Sequence, residues 1–232
     1  MPNYLPQDIL TYLEMCSVER LSLQQGMNYR DDDSIFLMSR RIGAPYEDRL
    51  DPATNILTYE GHDASRSAEI SDPKNVDQPF LTPFGTPTRN KKFFDAAKQY
   101  ENGTRVIPLR VRVYEKLRPG IWVFNGTFAL ERAWIQVSGP RKVFKFSLSL
   151  LPDNVKSTSG QASEIDHTRM IPSAIKQAVY KRDRGQCVLC GVKDNLHFDH
   201  DLAFKLGGTS LLAENIRLLC ARHNLRKGAR IE

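Results

Sequence analysis

Two short pairs near the C-terminus, Cys187-x-x-Cys190 and Cys220-x-x-His223, carry the clearest chemistry in the chain. Each pair fits on one tight turn, and together they offer four ligands to a tetrahedral zinc ion. Protein would fill all four positions, so this zinc would be structural rather than catalytic. Between the pairs stands Leu196-His197-Phe198-Asp199-His200-Asp201. A buried core does not call for a histidine between two aspartates, and a solvated loop does not need one. The fourth cysteine, Cys16, lies far from the others in an apolar pattern (Ile9, Leu10, Leu13, Val18, Leu21) and reads as a small core residue of an amphipathic helix.

The order Asp199-His200, Gly207-Gly208, Glu214-Asn215, Cys220-x-x-His223-Asn224 and Lys227-Gly228 resembles the HNH endonuclease family over roughly residues 171–230. The resemblance implies a ββα-metal fold in which one divalent cation sits between a hairpin and a helix. It makes His200 the general base and Asp199 and Asn224 the ligands of that cation, with Asn215 pinning the loop that holds the base. The chemistry agrees, because phosphodiester hydrolysis needs an activated water and a cation to neutralise charge on phosphate. A histidine has a suitable pKa for the base, and oxygen ligands suit Mg²⁺ or Mn²⁺. Asn224 stands where the family often has histidine, and His223 where cysteine is more usual. Asp201 reads as a solvated carboxylate and His197 as a packing or supporting residue. Arg217, Arg222, Arg226, Lys227 and Arg230 are candidates for contacts to the DNA backbone, which position a protein without reading sequence.

Other elements must hold these residues and choose a target for them. Residues 1–25 read as an N-terminal helix. Ser34–Ser39 and Asn55–Tyr59 read as strands, and 62–90 as long loops rich in Pro, Asp, Ser and Thr. Asn90–Tyr100 reads as a short helix. Ile107, Leu109, Val111 and Val113 alternate with other residues at period two, and Phe144, Phe146, Leu148 and Leu150 share one strand face. Gly120–Val137 reads as two strands around a turn at Asn125-Gly126. Residues 152–167 have almost no apolar side chains and read as a linker. Pro172 then opens a helix with Ile175, Ala178 and Val179 on one face. The fold class expected is α+β, with a curved β-sheet or barrel over 26–151 and a small zinc-stapled module over 168–232.

The stretch Gly43-Ala44-Pro45-Tyr46-Glu47-Asp48, followed by Leu57-Thr58-Tyr59-Glu60-Gly61, resembles the SRA (or YDG) family. So do Val111-Arg112-Val113, Phe124-Asn125-Gly126 and Phe144–Leu148, with Phe124-Asn125-Gly126 standing for the family's Tyr-Asp-Gly. The resemblance implies a domain that flips 5-methylcytosine or 5-hydroxymethylcytosine out of duplex DNA. Two aromatic rings can sandwich a flipped base, and Tyr46 and Tyr59 are the candidates. A carboxylate can accept from the exocyclic amine of cytosine. The spacing leaves that role between Asp48 and Asp51.

Length and charge fit this picture. The 232 residues allow one large domain or two small ones. The net charge is +6, and nearly all of it falls from Ile165 onward, the footprint of a segment that meets a polyanion. No stretch has the apolar length of a membrane helix, no secretory signal opens the chain, and a cytoplasmic protein is expected. The two resemblances together imply a prokaryotic modification-dependent restriction endonuclease. Cutting both strands would take a homodimer, for which the N-terminal helix is a candidate interface. The rival readings are an HNH nicking or restriction endonuclease indifferent to cytosine modification, and a reader without activity.

Overall fold

The computed structural model describes residues 4–40, 46–152, 170–201 and 210–227. The chain is mixed α+β. In order it forms β1 (Ile9–Thr11), α1 (Tyr12–Glu19), β2 (Met27–Asn28), β3 (Asp33–Met38), β4 (Arg49–Asp51) and β5 (Ile56–Glu60). There follow α2 (Arg89–Glu101), β6 (Leu109–Arg118), β7 (Ile121–Ser138), β8 (Arg141–Leu150), α3 (Ser173–Arg182), β9 (Leu196–His200), β10 (Ile216–Cys220) and α4 (Ala221–Lys227).

The large sheet runs β2-β3-β6-β7-β8-β5-β4, with β1 paired to the start of β7. Among the described strands only the β3–β6 pair is parallel. The sheet curls on itself. Strands β6, β7 and β8 separate β3 from β5 in the order, yet the rings of Phe36 and Tyr59 stack at 4.1 Å. The Tyr59 hydroxyl donates across the same gap toward the carbonyls of Gly26 and Leu37. Gly26 permits this approach, because a Cβ there would stand 2.6 Å from the His62 ring and 2.9 Å from the Tyr59 hydroxyl. Helix α2 lays Phe93, Ala96 and Ala97 on the concave core, at the spacing of one helical face.

Two expectations change. The N-terminal helix is confined to Tyr12–Glu19, started by a capping box between Thr11 and Glu14 and ended by Arg20 in the left-handed region. Ile9 and Leu10, which fit a helical pattern, instead form a strand on β7. Asn125-Gly126 is not a turn. Strand β7 runs straight through it, and Asn125 is the extra residue of a bulge, since Val113 pairs with Gly126 and Tyr114 with Phe124. Gly126 takes φ +110° there, a conformation that L side chains rarely adopt.

Strands β9 and β10 form a separate antiparallel pair, with α4 following directly. This module packs against the large sheet. Ile9, Leu117 and Val123 share one apolar cluster with Ile171, Val179, Phe198 and Leu218. Most of the expected linker, together with Gly43–Pro45, Gly207-Gly208 and Arg230, lies outside the described residues.

Candidate functional site

The zinc quartet comes together. The ligand atoms of Cys187, Cys190, Cys220 and His223 all lie within 4.8 Å of one another. Cys190 Sγ and Cys220 Sγ are 3.9 Å apart, and His223 Nδ1 is 3.4 Å from Cys187 Sγ and 3.3 Å from Cys220 Sγ. A tetrahedron with metal–sulfur bonds of about 2.3 Å separates its sulfurs by about 3.8 Å, so these spacings fit zinc. Burial raises the Cys187 thiol, but backbone N–H groups of Cys220, Leu189 and Cys190, with His223, outweigh it and pull it down to about 6. A thiol so poised readily supplies the thiolate that a metal needs.

The quartet clips the ends of the hairpin. Cys187 and Cys190 lie on the turn before β9, Cys220 ends β10, and His223 is in α4. Helix α3 braces the other side. Asp183 accepts from the Leu218 N–H, and Arg182 donates to the carbonyls of Ala213 and Ile216. In this frame Asp199 and His200 are half-buried at the end of β9, opposite Arg217 and Ile216, and Asn224 is half-buried on α4. The Asn215 carbonyl accepts from the Asp201 N–H at 2.7 Å. Ser210 Oγ lies 2.8 Å from His200 Nε2 and can fix the ring; nothing in the residue type marked it beforehand. Asp201 pairs with Arg217 at 3.2 Å, and His197 Nδ1 meets Asp8 Oδ1 at 2.7 Å.

The second candidate site is a cavity of about 1600 Å³ where the ends of the curled sheet approach. Tyr46, Asp48 and His62 line it, with Arg66, Arg89 and Lys92 among its cationic residues. Asp51 is elsewhere, its carboxylate accepting from the Ala53 N–H in the β4–β5 turn. Tyr59 is buried, with one face on Phe36. The ring in contact with both tyrosines is His62, stacked on Tyr46 at 5.1 Å and tilted against Tyr59 at 6.3 Å. His62 joins Tyr46 in the cavity lining, whereas Tyr59 lies buried behind them and does not line it. Asn90 holds it there through a reciprocal pair of 2.8 Å bonds to the His62 backbone, and Gln78 ties Gly61. Burial lowers the His62 pKa to about 4, so the ring is neutral at ordinary pH.

Asp48 is held from below. Its Oδ1 accepts from the Glu60 N–H at 3.1 Å. The Glu60 carboxylate is gripped in turn by Lys145 at 2.9 Å and Arg141 at 3.3 Å, all three buried. Burial raises the Asp48 carboxyl to about 7, against the Glu60 N–H and Lys145, which lower it. The unfolded chain gives up this proton near pH 4. The group's contribution to stability is thus fully present below about 4 and is lost by about pH 7, a cost of about 4 kcal/mol. That cost marks a carboxyl kept buried in a cavity wall rather than one placed for stability.

No protein-family model matches the chain, and no curated protein matches it. Among solved structures it is similar to the SRA domain of SUVH5 in complex with methylated CHH DNA, at 22% identity over 66% of this chain and 92% of that one, TM-score 0.45. It is also similar to SUVH5 SRA bound to fully hydroxymethylated CG DNA, at 24% identity over 62% and 86%, TM-score 0.43. A third is the DNA modification-dependent restriction endonuclease AspBHI, at 16% identity over 68% and 69%, TM-score 0.37. Likenesses this distant carry no argument about chemistry, which rests on the residues themselves. No helix among the described residues is long and apolar enough to cross a membrane.

Proposed function

We propose that this chain is a modification-dependent DNA endonuclease of the SRA–HNH kind, which flips 5-methylcytosine or 5-hydroxymethylcytosine from duplex DNA and hydrolyses a phosphodiester nearby. The observation that carries the reading is the cavity wall. An aromatic ring and a buried carboxyl poised near neutrality line one cavity together with Arg66, Arg89 and Lys92. Tyr46 and the neutral His62 ring, stacked on each other, form one aromatic wall for the base, and Tyr59 lies against His62. Asp48 accepts from the exocyclic amine, which thymine lacks. The turn closed by Thr82 and Thr86 holds Phe84 93% exposed beside Leu81 and Pro83 of the cavity lining, an aromatic free to stack where the base has left.

In the C-terminal module His200 takes the proton of the attacking water, and Ser210 keeps the imidazole oriented. Asp199 and Asn224 would hold Mg²⁺ or Mn²⁺, which supplies charge neutralisation at phosphate when bound. Cys187, Cys190, Cys220 and His223 would hold a zinc ion that ties the hairpin to α4. Cutting both strands takes two such modules, hence a homodimer on the DNA.

Matched plasmids test this: one unmodified, one carrying 5-methylcytosine, one 5-hydroxymethylcytosine, each with Mg²⁺ or Mn²⁺. Cutting confined to modified plasmids is expected. Equal cutting of all three would reject the base pocket and leave a nuclease indifferent to modification. Tight binding with no cutting would leave a reader alone. The Asp48 role has its own signature. The ionised carboxyl is the stronger acceptor for the amine, so affinity for modified duplex should rise, by up to about tenfold, between pH 6 and pH 8. Asp48→Asn should flatten that slope, and an unchanged slope in the variant would assign it to another group.

A further inference from the structure

Lys176 is wholly buried, although it lies on a helix of the C-terminal module whose expected inner face is apolar. Its ammonium reaches across the seam into the large sheet. Nζ donates to Glu115 Oε2 at 2.8 Å and to Asn125 Oδ1 at 2.6 Å, and Asn125 Nδ2 donates to Glu115 Oε2 at 3.1 Å. Glu115 and Asn125 are buried too. The bulge in β7 makes this possible, since the extra residue it inserts is Asn125. Burial pushes the Glu115 carboxyl up, and Lys176, Ser173 and Asn125 outweigh that and hold it low.

A second connection runs beside it. The Gln7 N–H donates to the Phe124 carbonyl at 2.7 Å, the Phe124 N–H to the Asp8 carbonyl at 2.9 Å, and the Phe198 N–H to the Gln7 carbonyl at 3.2 Å. One segment therefore bonds to β7 on one side and to β9 on the other, and β9 ends in Asp199-His200. The Asp8–His197 contact closes the same join. A buried ion pair contributes little to net stability, but it fixes geometry, because any displacement strands a charge in an apolar seam.

We propose that Lys176 is a positioning residue: by locking β9, β10 and α4 against the sheet through Glu115 and Asn125, it sets the distance from the modified cytosine to the phosphate that is cut. This rests on the function proposed above. The test maps cut positions at nucleotide resolution on a duplex with a single 5-methylcytosine. The intact protein should cut at one narrow position. Lys176→Met leaves Glu115 buried without its cation, and its cuts should scatter over several phosphates while the affinity for modified duplex is kept. Lys176→Met with Glu115→Gln removes both charges and lets the introduced amide pair with Asn125, so the narrow position should return. A narrow, unshifted position in Lys176→Met would overturn the proposal, as would scatter in the double variant equal to that of the single one. Hydrogen exchange reads the same lock without any cleavage. The Phe198 and Phe124 amides should exchange at least about tenfold faster in Lys176→Met than in the intact protein. Equal exchange would reject the lock itself, whereas altered exchange in a protein that cuts no plasmid would reject only the nuclease reading.

Discussion

His200→Ala is expected to slow hydrolysis of modified DNA by a factor of about 10²–10⁴, the usual worth of a positioned acid–base group, with affinity for that DNA unchanged. The two outcomes separate because the residues involved lie apart. The base cavity is lined by residues between Tyr12 and Trp122, whereas His200 ends β9. The substitution should also spare the fold. His200 is half-buried at the end of the hairpin, and the strand is anchored by Leu196 and Phe198, which stay in the apolar cluster. Loss of cleavage in a variant that melts and binds like the parent would identify the base. Ser210→Ala should give a smaller loss, because it removes a hydrogen-bond partner of the ring and not the ring itself. Full activity in His200→Ala would mean that another group takes the proton, and the reading of the Asp199-His200 pair would fall with it.

What the residues announced in advance was what local spacing controls. The cysteine and histidine pairs predicted a four-ligand cluster because only two residues separate the ligands of each pair, so sequence distance and spatial distance agree. The helix expected over Asn90–Tyr100 forms over Arg89–Glu101, since Phe93, Ala96 and Ala97 already mark its inner face. Non-local partners defeated the rest. Ile9 and Leu10 suit a helix, but β7 was free to pair with them. Asn125-Gly126 has the composition of a turn, and only the ammonium of Lys176 explains an asparagine buried in a bulge. A lysine reads as solvated until a carboxylate distant in the chain is known to meet it. The base site shows both cases. Tyr46 and Asp48, proposed from a local resemblance, both line the cavity. His62 lines it beside them without having been singled out, because its place depends on Asn90 and Gly26, neither of which is near it in sequence.

Cys220→Ser, or exhaustive chelation of the parent protein, should produce the largest structural effect. Isolated zinc modules owe about 10–16 kcal/mol to their metal and are unfolded without it. Here the loss should be smaller, because β9 and β10 are also held by the cluster they share with Ile9, Leu117 and Val123 and by the Lys176 seam. Cys187 and Cys220 are themselves buried members of that cluster, so losing the metal frees both thiols inside an apolar wall and releases α4 from β10. A new, earlier thermal transition should therefore appear for the C-terminal module, with loss of bound zinc and of cleavage. The transition of the large sheet and the affinity for modified DNA should persist, since Tyr46, Asp48 and His62 touch none of the ligands. Metal analysis of the purified protein, thermal melting and a binding titration check this together. If the protein carried no zinc and Cys220→Ser melted and cut like the parent, the quartet would be packing alone, and the hairpin would have to owe its geometry to the seam with the sheet.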